Sequence, residues 1–210
     1  FVELNASYGS YNTYNTGFSM STGLLGNHFV ADAAFHTTGT DGYVHGTAGK
    51  SGSWYAGLNW IGRDFIIRYR NIGNYEHTGQ AWNGVTAGTD DLSIMDGTYG
   101  KNTGIKTYAD MYREGLGKFN SLYESMDPKT YETTRYTLND GSYWPKTTDN
   151  FWQDHNILSA AWNINENLKT TLSLHYTYGY GYYDEFKPDS KVSKFGFDMV
   201  KSNGKPVRSD

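Results

Sequence analysis

Histidine is the residue type in this chain with the most distinctive chemistry, because imidazole nitrogens bind transition-metal ions and haem iron. Of the six histidines, His36, His155 and His175 fall on the polar side of alternating segments, and the segments of His155 and His175 are neighbours along the chain. The chain has no His-Glu-x-x-His motif and no cysteine, which excludes a zinc–thiolate centre. A ligand role requires two of these histidines to converge. Hydrogen bonding to polar neighbours is the simpler interpretation, so we predict no metal site and no cofactor.

Two groups of acidic residues suggest calcium binding and glycoside hydrolysis, but neither has the spacing that the chemistry needs. Asp90, Asp91 and Asp96 in TDDLSIMDG do not follow the EF-hand pattern. Asp184 and Glu185 are adjacent, so their carboxylates point apart and cannot flank a glycosidic bond. We therefore predict solvated acidic loops, no catalytic residues and no enzyme.

Tyrosine and tryptophan side chains outside the regular segments favour binding over catalysis. Rings on loops supply flat contact area at low entropic cost, which suits a ligand or a surface lipoprotein. The residues predicted to bind a ligand are Trp82, Trp144, Tyr180 and Tyr182. Packing of the loops on one another is the equal alternative for these rings. It applies as well to the other loop aromatics, Tyr75, Tyr99, Tyr143, Trp152 and Tyr183.

Seven segments alternate with a period of two and predict the strands that position these residues. In TTLSLHYTYG, which begins at Thr170, the leucines and tyrosines occupy every second position, which we call the apolar parity. Ser173, His175 and Thr177 occupy the positions between them, which we call the polar parity. The predicted strands are residues 2–9, 14–24, 28–37, 51–61, 64–74, 151–163 and 168–179. A half-buried antiparallel sheet explains this all-β pattern in a soluble sandwich and in a membrane barrel alike.

The connections between the predicted strands differ in length at the two ends of the sheet. Consecutive antiparallel strands reverse direction, so the short turns fall at one end: 24–27, 61–64 and 164–167. The other end carries loops at 38–50 and 75–150, and only the turn at 8–13 is short there. A structureless loop as long as 75–150 is improbable in a compact soluble domain. Outer-membrane barrels, in contrast, combine short periplasmic turns with long extracellular loops.

Large rings on the apolar parity lie near both ends of the predicted strands. Those beside the short turns are Phe29, Trp60, Phe65 and Trp162. Those towards the long loops are Phe35, Trp54, Tyr176 and Tyr178. A sandwich core would place its largest rings in the middle of the strands, whereas two aromatic girdles around a lipid band are typical of membrane barrels. The sequence therefore favours an up-and-down transmembrane barrel with its apolar parity towards lipid.

On this interpretation the polar parity faces the lumen, and it includes Arg68, Arg70, His155 and His175. An arginine that faced lipid at the bilayer midplane would cost about 2–4 kcal/mol, so both arginines are predicted to face inward. We prefer the interpretation that both arginines form a ladder of ion pairs in the lumen with Asp32 or another acid. The alternative, functional interpretation is that they bind an anion or contact a plug domain.

Several blocks of the sequence carry a family resemblance. ASYGSYNT at 6–13 is followed by STGLLGNHF and TDGYVHG, and later blocks are GQAWNGV at 79–85, TDNFWQDHNILSAAW at 148–162 and LHYTYGYGYYDEFK at 174–187. In this order they resemble the barrel domain of TonB-dependent outer-membrane receptors of the siderophore/cobalamin type. The resemblance implies a barrel of about 22 strands with a plugged lumen, an outer-membrane location and coupling to the TonB complex. It also implies import of a scarce nutrient such as a siderophore, cobalamin or haem.

Residues 1–210 would then be a partial barrel domain that contributes seven strands, with the plug domain of the same polypeptide absent. The chain starts at Phe1 inside a predicted strand, so we expect a piece of a longer polypeptide. The alternative is a secreted β-rich carbohydrate-binding module with its apolar parity packed inward. A net charge of −4 without a basic stripe gives no support for a nucleic-acid partner.

Overall fold

A computed structural model describes residues 1–82, 108–127, 130–187, 190–197, 201–202 and 205–206. Asp90, Asp91, Asp96 and Tyr99 lie outside these residues. The chain divides into two compact units. The first, the sheet unit, consists of Phe1–Gly42, Ala48–Thr78 and Asp149–Tyr183. The second, the loop unit, consists of Tyr43–Thr47, Gly79–Thr148 and Asp184–Asp210.

Strands make up almost all of the regular structure. They are β1 (Val2–Gly9), β2 (Thr13–Ser21), β3 (Phe29–Thr40), β4 (Gly49–Ile61), β5 (Phe65–Gly79), β6 (Glu124–Met126), β7 (Thr133–Arg135), β8 (Thr148–Asn165), β9 (Leu168–Asp184), β10 (Lys201–Ser202) and β11 (Lys205–Pro206). The helical segments are α1 (Tyr108–Arg113) and two 3₁₀ turns, Leu116–Lys118 and Val192–Phe195. No helix in the described ranges is long and apolar enough to cross a membrane.

The seven long strands form one sheet in the order β1-β2-β3-β4-β5-β8-β9. Each of these strands pairs with the next one along the chain, except that β5 pairs with β8, because β6 and β7 between them form a separate two-stranded sheet. The registers from β1 to β5 are antiparallel. The prediction of an all-β antiparallel sheet of seven strands is confirmed. The described residues do not close this sheet into a barrel, because β1 and β9 lie at its two edges.

The strands extend further than predicted at the end that carries the long loops. β5 continues to Gly79, β8 begins at Thr148 and β9 continues to Asp184. The connection between β5 and β8 therefore spans 80–147 instead of the predicted 75–150. Tyr75, which the sequence places in a loop, belongs to β5. Trp152, grouped with the loop aromatics although it falls inside the strand predicted at 151–163, belongs to β8. The short turns lie at the opposite end, as predicted, at 22–28, 62–64 and 166–167. The first is longer than the predicted 24–27, because β2 already ends at Ser21.

The register separates an apolar face of the sheet from a polar face. Across β3, β4 and β5, Phe29 lies opposite Trp60, and Leu58 lies opposite both Ala31 and Tyr69. This is the apolar face, and its rings cluster in two places. Near the short turns, the Trp60 ring lies 6.2 Å from that of Phe65. Towards the loops, Trp152 contacts Trp54, Tyr178 and Tyr180 with centroid distances of 6.0, 5.8 and 5.9 Å.

The loop unit holds the buried hydrophobic residues of the described chain, Leu116, Phe119 and Leu122. The spacing of apolar residues from Tyr108 to Met126 predicts a short helix, and α1 is only the first part of it. The chain turns at Gly115, whose φ of 71° is left-handed and favours glycine. Leu116 and Phe119 then pack with Met126 as a small core instead of continuing a helical face.

Candidate functional site

The polar face of the sheet unit carries all four residues that the sequence predicts there. Arg68 lies opposite Asn59 and Arg70 opposite Gly57, on the face that Tyr69 does not share. Backbone hydrogen bonds from the Asn163 amide to the Asp64 carbonyl and from the Gln80 amide to the Thr147 carbonyl set the register of β5 against β8. This register places Ile157 opposite Arg70, so His155 lies diagonally from Arg70 on the same face. His155 and His175 lie on neighbouring strands of this face.

His155 and His175 converge, as a ligand role would require. His155 Nδ1 lies 3.4 Å from His175 Nε2, and the two ring planes differ by 20°. The Thr177 hydroxyl contacts both nitrogens, at 3.0 Å from His155 Nδ1 and 2.8 Å from His175 Nε2. The ring centroids are 5.6 Å apart, so the imidazoles meet edge to edge through these nitrogens. His36 shares the face but lies on β3, three strands from β8 in the sheet order.

The arginines are not paired with the acid that the sequence suggested. Asp32 Oδ2 accepts a hydrogen bond from Asn59 Nδ2 at 3.2 Å. Within the described part of the chain, Arg68 and Arg70 form no ion pair. Arg68 lines a groove of about 140 Å³ together with Ser159 and Ser173. Both guanidinium groups are thus free to interact with an anion or with another part of a larger polypeptide.

Two of the predicted ligand-binding rings lie in the loop unit and differ in exposure. Trp82 is 49% exposed, and its indole N–H donates to Gln80 Oε1 at 2.9 Å. Trp144 is half-buried, and its ring packs against Phe186 with centroids 5.6 Å apart. Trp82 is therefore the more exposed of the two rings, whereas Trp144 contributes to the packing of the loop unit.

The other two predicted binding rings, Tyr180 and Tyr182, are not in a loop. Both belong to β9, on the parity of Leu172 and Leu174. The Tyr180 ring stacks on Trp152 at an interplanar angle of 25°. These tyrosines extend the aromatic group on the apolar face, so their predicted position in a loop is wrong, whereas their role in ligand binding stays a prediction. A glycine–tyrosine run is compatible with loop and strand alike, which is why the sequence pattern misplaced them.

A polar network on the apolar face was missed by the sequence reasoning. Asn71 Nδ2 donates to Asp154 Oδ1 at 2.8 Å, and Asn156 Nδ2 donates to the same oxygen at 2.6 Å. Trp54 Nε1 donates to Asn71 Oδ1, and the Tyr69 hydroxyl donates to Asn156 Oδ1. The sequence signal for this network is the presence of three polar residues, Asn71, Asp154 and Asn156, on the apolar parity of β5 and β8. The network satisfies its own donors, which lowers the cost of placing these groups beside apolar side chains.

Arginine and aromatic rings also combine inside the loop unit. The Arg135 guanidinium carbon lies 4.6 Å from the ring centroid of Tyr123 and 4.9 Å from that of Tyr143. One guanidinium nitrogen donates to the Trp144 carbonyl at 3.1 Å. Tyr143, predicted as a loop aromatic, is therefore engaged in a cation–π contact.

Asp184, the last residue of β9, and Glu185 both interact with neighbouring residues of the loop unit. Asp184 Oδ1 accepts hydrogen bonds from the Thr148 amide at 2.6 Å and from the Thr148 hydroxyl at 2.7 Å. Glu185 forms an ion pair with Lys187.

Two pKa values are shifted among the described residues of the loop unit. Hydrogen bonds from the Ser142 hydroxyl and amide lower the pKa of Asp140, and burial lowers the pKa of Lys146.

Within the described ranges, no group of three or more His, Cys, Asp or Glu residues is placed to hold a metal ion. Comparison of the chain with protein-family models, with curated proteins and with solved structures finds no match.

Proposed function

We propose that this chain is part of the barrel of an outer-membrane receptor that imports a scarce nutrient chelate in the manner of TonB-dependent receptors. The observation that carries the proposal is the exposed apolar face of the sheet unit. Leu58, Trp60 and Trp162 remain 46%, 42% and 49% exposed. A soluble protein rarely leaves such large side chains uncovered over a contiguous face. Hydrocarbon chains of a bilayer would cover this face without any further protein layer.

The distribution of side chains along the strands supports the same proposal. Rings near the short turns and rings towards the loops bracket the aliphatic residues, as in barrels with an aromatic girdle at each interface. Asp154 and Asn156 lie near Trp152, in the half of β8 that is closer to the loops, and we place lipid headgroups there. Polar groups that bond to one another are tolerated at that depth.

The polar face supports a lumen. Arg68 and Arg70 lie there without an ion pair in the described residues, a position that suits water, a plug domain or an anionic ligand. Further strands beyond β1 and β9 would pair with the open edges and close a barrel of about 22 strands. Binding then relies on exposed loop rings such as Trp82 and on polar lumen residues, without covalent chemistry, so the protein is not an enzyme.

The proposal includes the partners that such a receptor needs. These are the plug domain, the TonB complex that moves it, outer-membrane lipid and, outside the cell, a surface lipoprotein. A secreted carbohydrate-binding module is the alternative function, and the aromatic group around Trp152 would suit a sugar ring. That alternative expects Trp60 and Trp162 packed inside the protein, whereas both are about half exposed. The exposure therefore favours the membrane receptor.

The decisive experiment compares two arginine substitutions on opposite faces of β4 in the full-length protein. Leu58 lies on the apolar face and Ser53 on the polar face, and both are exposed. Leu58→Arg places a charge towards lipid at a cost of about 2–4 kcal/mol near the midplane. We expect it to reduce the heat-modifiable outer-membrane form strongly, whereas Ser53→Arg leaves it near the wild-type amount.

Equal assembly of the two variants would contradict the membrane assignment. If the protein is the proposed secreted module, it will be recovered without detergent and will bind glycans. If it is the proposed receptor, a deletion strain will lose TonB-dependent uptake of one chelate among siderophores, cobalamin and haem.

A further inference from the structure

We propose that His155 and His175 form a binding site for a divalent transition-metal ion of the zinc, copper and nickel class on the polar face of the sheet unit. The proposal does not rest on the receptor function, since it needs only the geometry of β8 and β9. It goes beyond hydrogen bonding between two polar neighbours, which is all that the sequence suggests.

The separation of the two imidazole nitrogens matches that of two ligands on one ion. Zinc binds histidine nitrogen at about 2.0–2.1 Å with tetrahedral angles, which places two such nitrogens about 3.3 Å apart. His155 Nδ1 and His175 Nε2 are 3.4 Å apart in the protein. The rings meet edge to edge with planes 20° apart, so both nitrogens face the gap between the rings. Small rotations of the two side chains would direct both lone pairs at an ion beside that gap.

The backbone holds the pair in place. Both residues belong to long strands that are hydrogen-bonded neighbours in the sheet, and Thr177 lies on β9 two residues after His175. The Thr177 hydroxyl contacts both nitrogens and thereby restricts the rotation of both imidazole rings. Two ligands on adjacent strands need little ordering when an ion binds, so the entropic cost of assembling the site is small.

The site is open, which distinguishes it from a structural zinc centre. Structural centres have four protein ligands, whereas no third His, Cys, Asp or Glu completes a metal cluster in the part of the chain that the structure describes. His175 is exposed, so an ion can reach the pair from solvent. Arg70 lies on the same face, diagonally from His155 on the neighbouring strand β5, and its positive charge would favour an anion as a further ligand of the bound ion. We therefore expect an exchangeable ion that carries water or an anionic oxygen ligand.

Titration of the full-length protein with Zn²⁺, Cu²⁺ or Ni²⁺ alone tests the site. We expect His155→Ala and His175→Ala each to weaken one binding event by at least about tenfold, and the double variant to lose no more than either single one. His36→Ala is the matched control, because His36 is exposed on the same face without a histidine beside it. It should leave that binding event unchanged. Binding should weaken as the pH falls from about 8 to about 5, because the metal needs neutral imidazole.

His175→Asn separates metal ligation from hydrogen bonding. An asparagine amide still bonds to Thr177 and His155, so a purely hydrogen-bonded pair would tolerate it, whereas a metal site would lose the ion. A second measurement needs no variant: Zn²⁺ should protect His155 and His175 of the wild-type protein from diethyl pyrocarbonate, while His36 still reacts. Wild-type affinity in both alanine variants, or no protection by Zn²⁺, would overturn the site. Outer-membrane assembly of these variants is measured in parallel and reports on the proposed receptor function separately.

Discussion

Asn120 should control whether the loop unit stays closed. Its side chain is 1% exposed and bonds three backbone groups from separate segments. Nδ2 donates to the His45 carbonyl at 2.8 Å and to the Gln80 carbonyl at 2.9 Å. Oδ1 accepts from the Leu122 amide at 3.1 Å. The perturbation that isolates these bonds is Asn120→Asp, which keeps the shape and the acceptor but removes both donors.

The size of the effect follows from the two carbonyls that lose their partner. An unpaired buried polar group costs about 1–3 kcal/mol, so two of them cost about 2–5 kcal/mol after some water enters. A carboxylate that faces two carbonyl oxygens adds repulsion. Because each 1.4 kcal/mol is tenfold in an equilibrium constant, opening of the loop unit should become about 30- to 3,000-fold more frequent.

Hydrogen exchange of the full-length protein measures this opening peptide by peptide. We expect faster exchange in the segment 116–124 and near His45 and Gln80, with no change in the central strands β3 and β4. Ser125→Ala is the control, because Ser125 is exposed and makes a single side-chain bond of 3.3 Å to the Thr134 carbonyl. Unchanged exchange in Asn120→Asp, or equal acceleration in the control, would refute the view that Asn120 joins these segments.

Three further predictions test other features. Gly73→Val should destabilise the sheet by about 1–3 kcal/mol and alter tryptophan fluorescence, because a Cβ at Gly73 would overlap the Trp54 indole that covers it. Lys146→Met should remove a rise in stability with pH. The half-buried Lys146 has a pKa below 10.5, so the folded state loses its proton first. The folded state then gains stability as the pH increases towards that value, which a pH series of unfolding temperatures would measure. The pKa of Asp140 is lowered below 3.8, so its bonds to Ser142 stabilise the turn above that pH and are lost as the pH falls through the folded value. NMR titration should give a midpoint below 3.8.

The sequence predicts the two faces of the sheet because side-chain alternation depends only on the pleat of the strand. Leu172 and Ser173 fall on opposite faces whatever their neighbours are, and the registers of β3, β4 and β5 agree with the predicted parity. Convergence of His155 and His175 could not be predicted in the same way. It depends on the stagger between β8 and β9, and a shift of two residues would preserve both faces and separate the rings.

Strand ends at the loop side were predicted too short because their residues are ambiguous. Tyrosine favours strands, whereas glycine is common in turns, and β9 ends in a run of both from Tyr178 to Tyr183. The network of Asn71, Asp154 and Asn156 was missed for a different reason. Each residue alone breaks the apolar pattern, and only the pairing of β5 with β8 shows that they satisfy one another.

The position of this network along β5 and β8 determines how much of the apolar face can lie in contact with lipid. On β5 the apolar residues stop at Tyr69 and on β8 they stop at Leu158, whereas on β9 they continue through Tyr178. A transmembrane strand needs about 9–11 residues. A bilayer that covers β5 from Phe65 therefore reaches beyond Asn71, so the network must lie within or at the edge of the lipid band. Asp154→Leu would extend the band into that zone while leaving the Asn71 and Asn156 amides without their shared acceptor. Loss of assembly in this variant, together with assembly of Asp154→Asn, would place the network in the polar interface, whereas assembly of Asp154→Leu would place this position inside the lipid band.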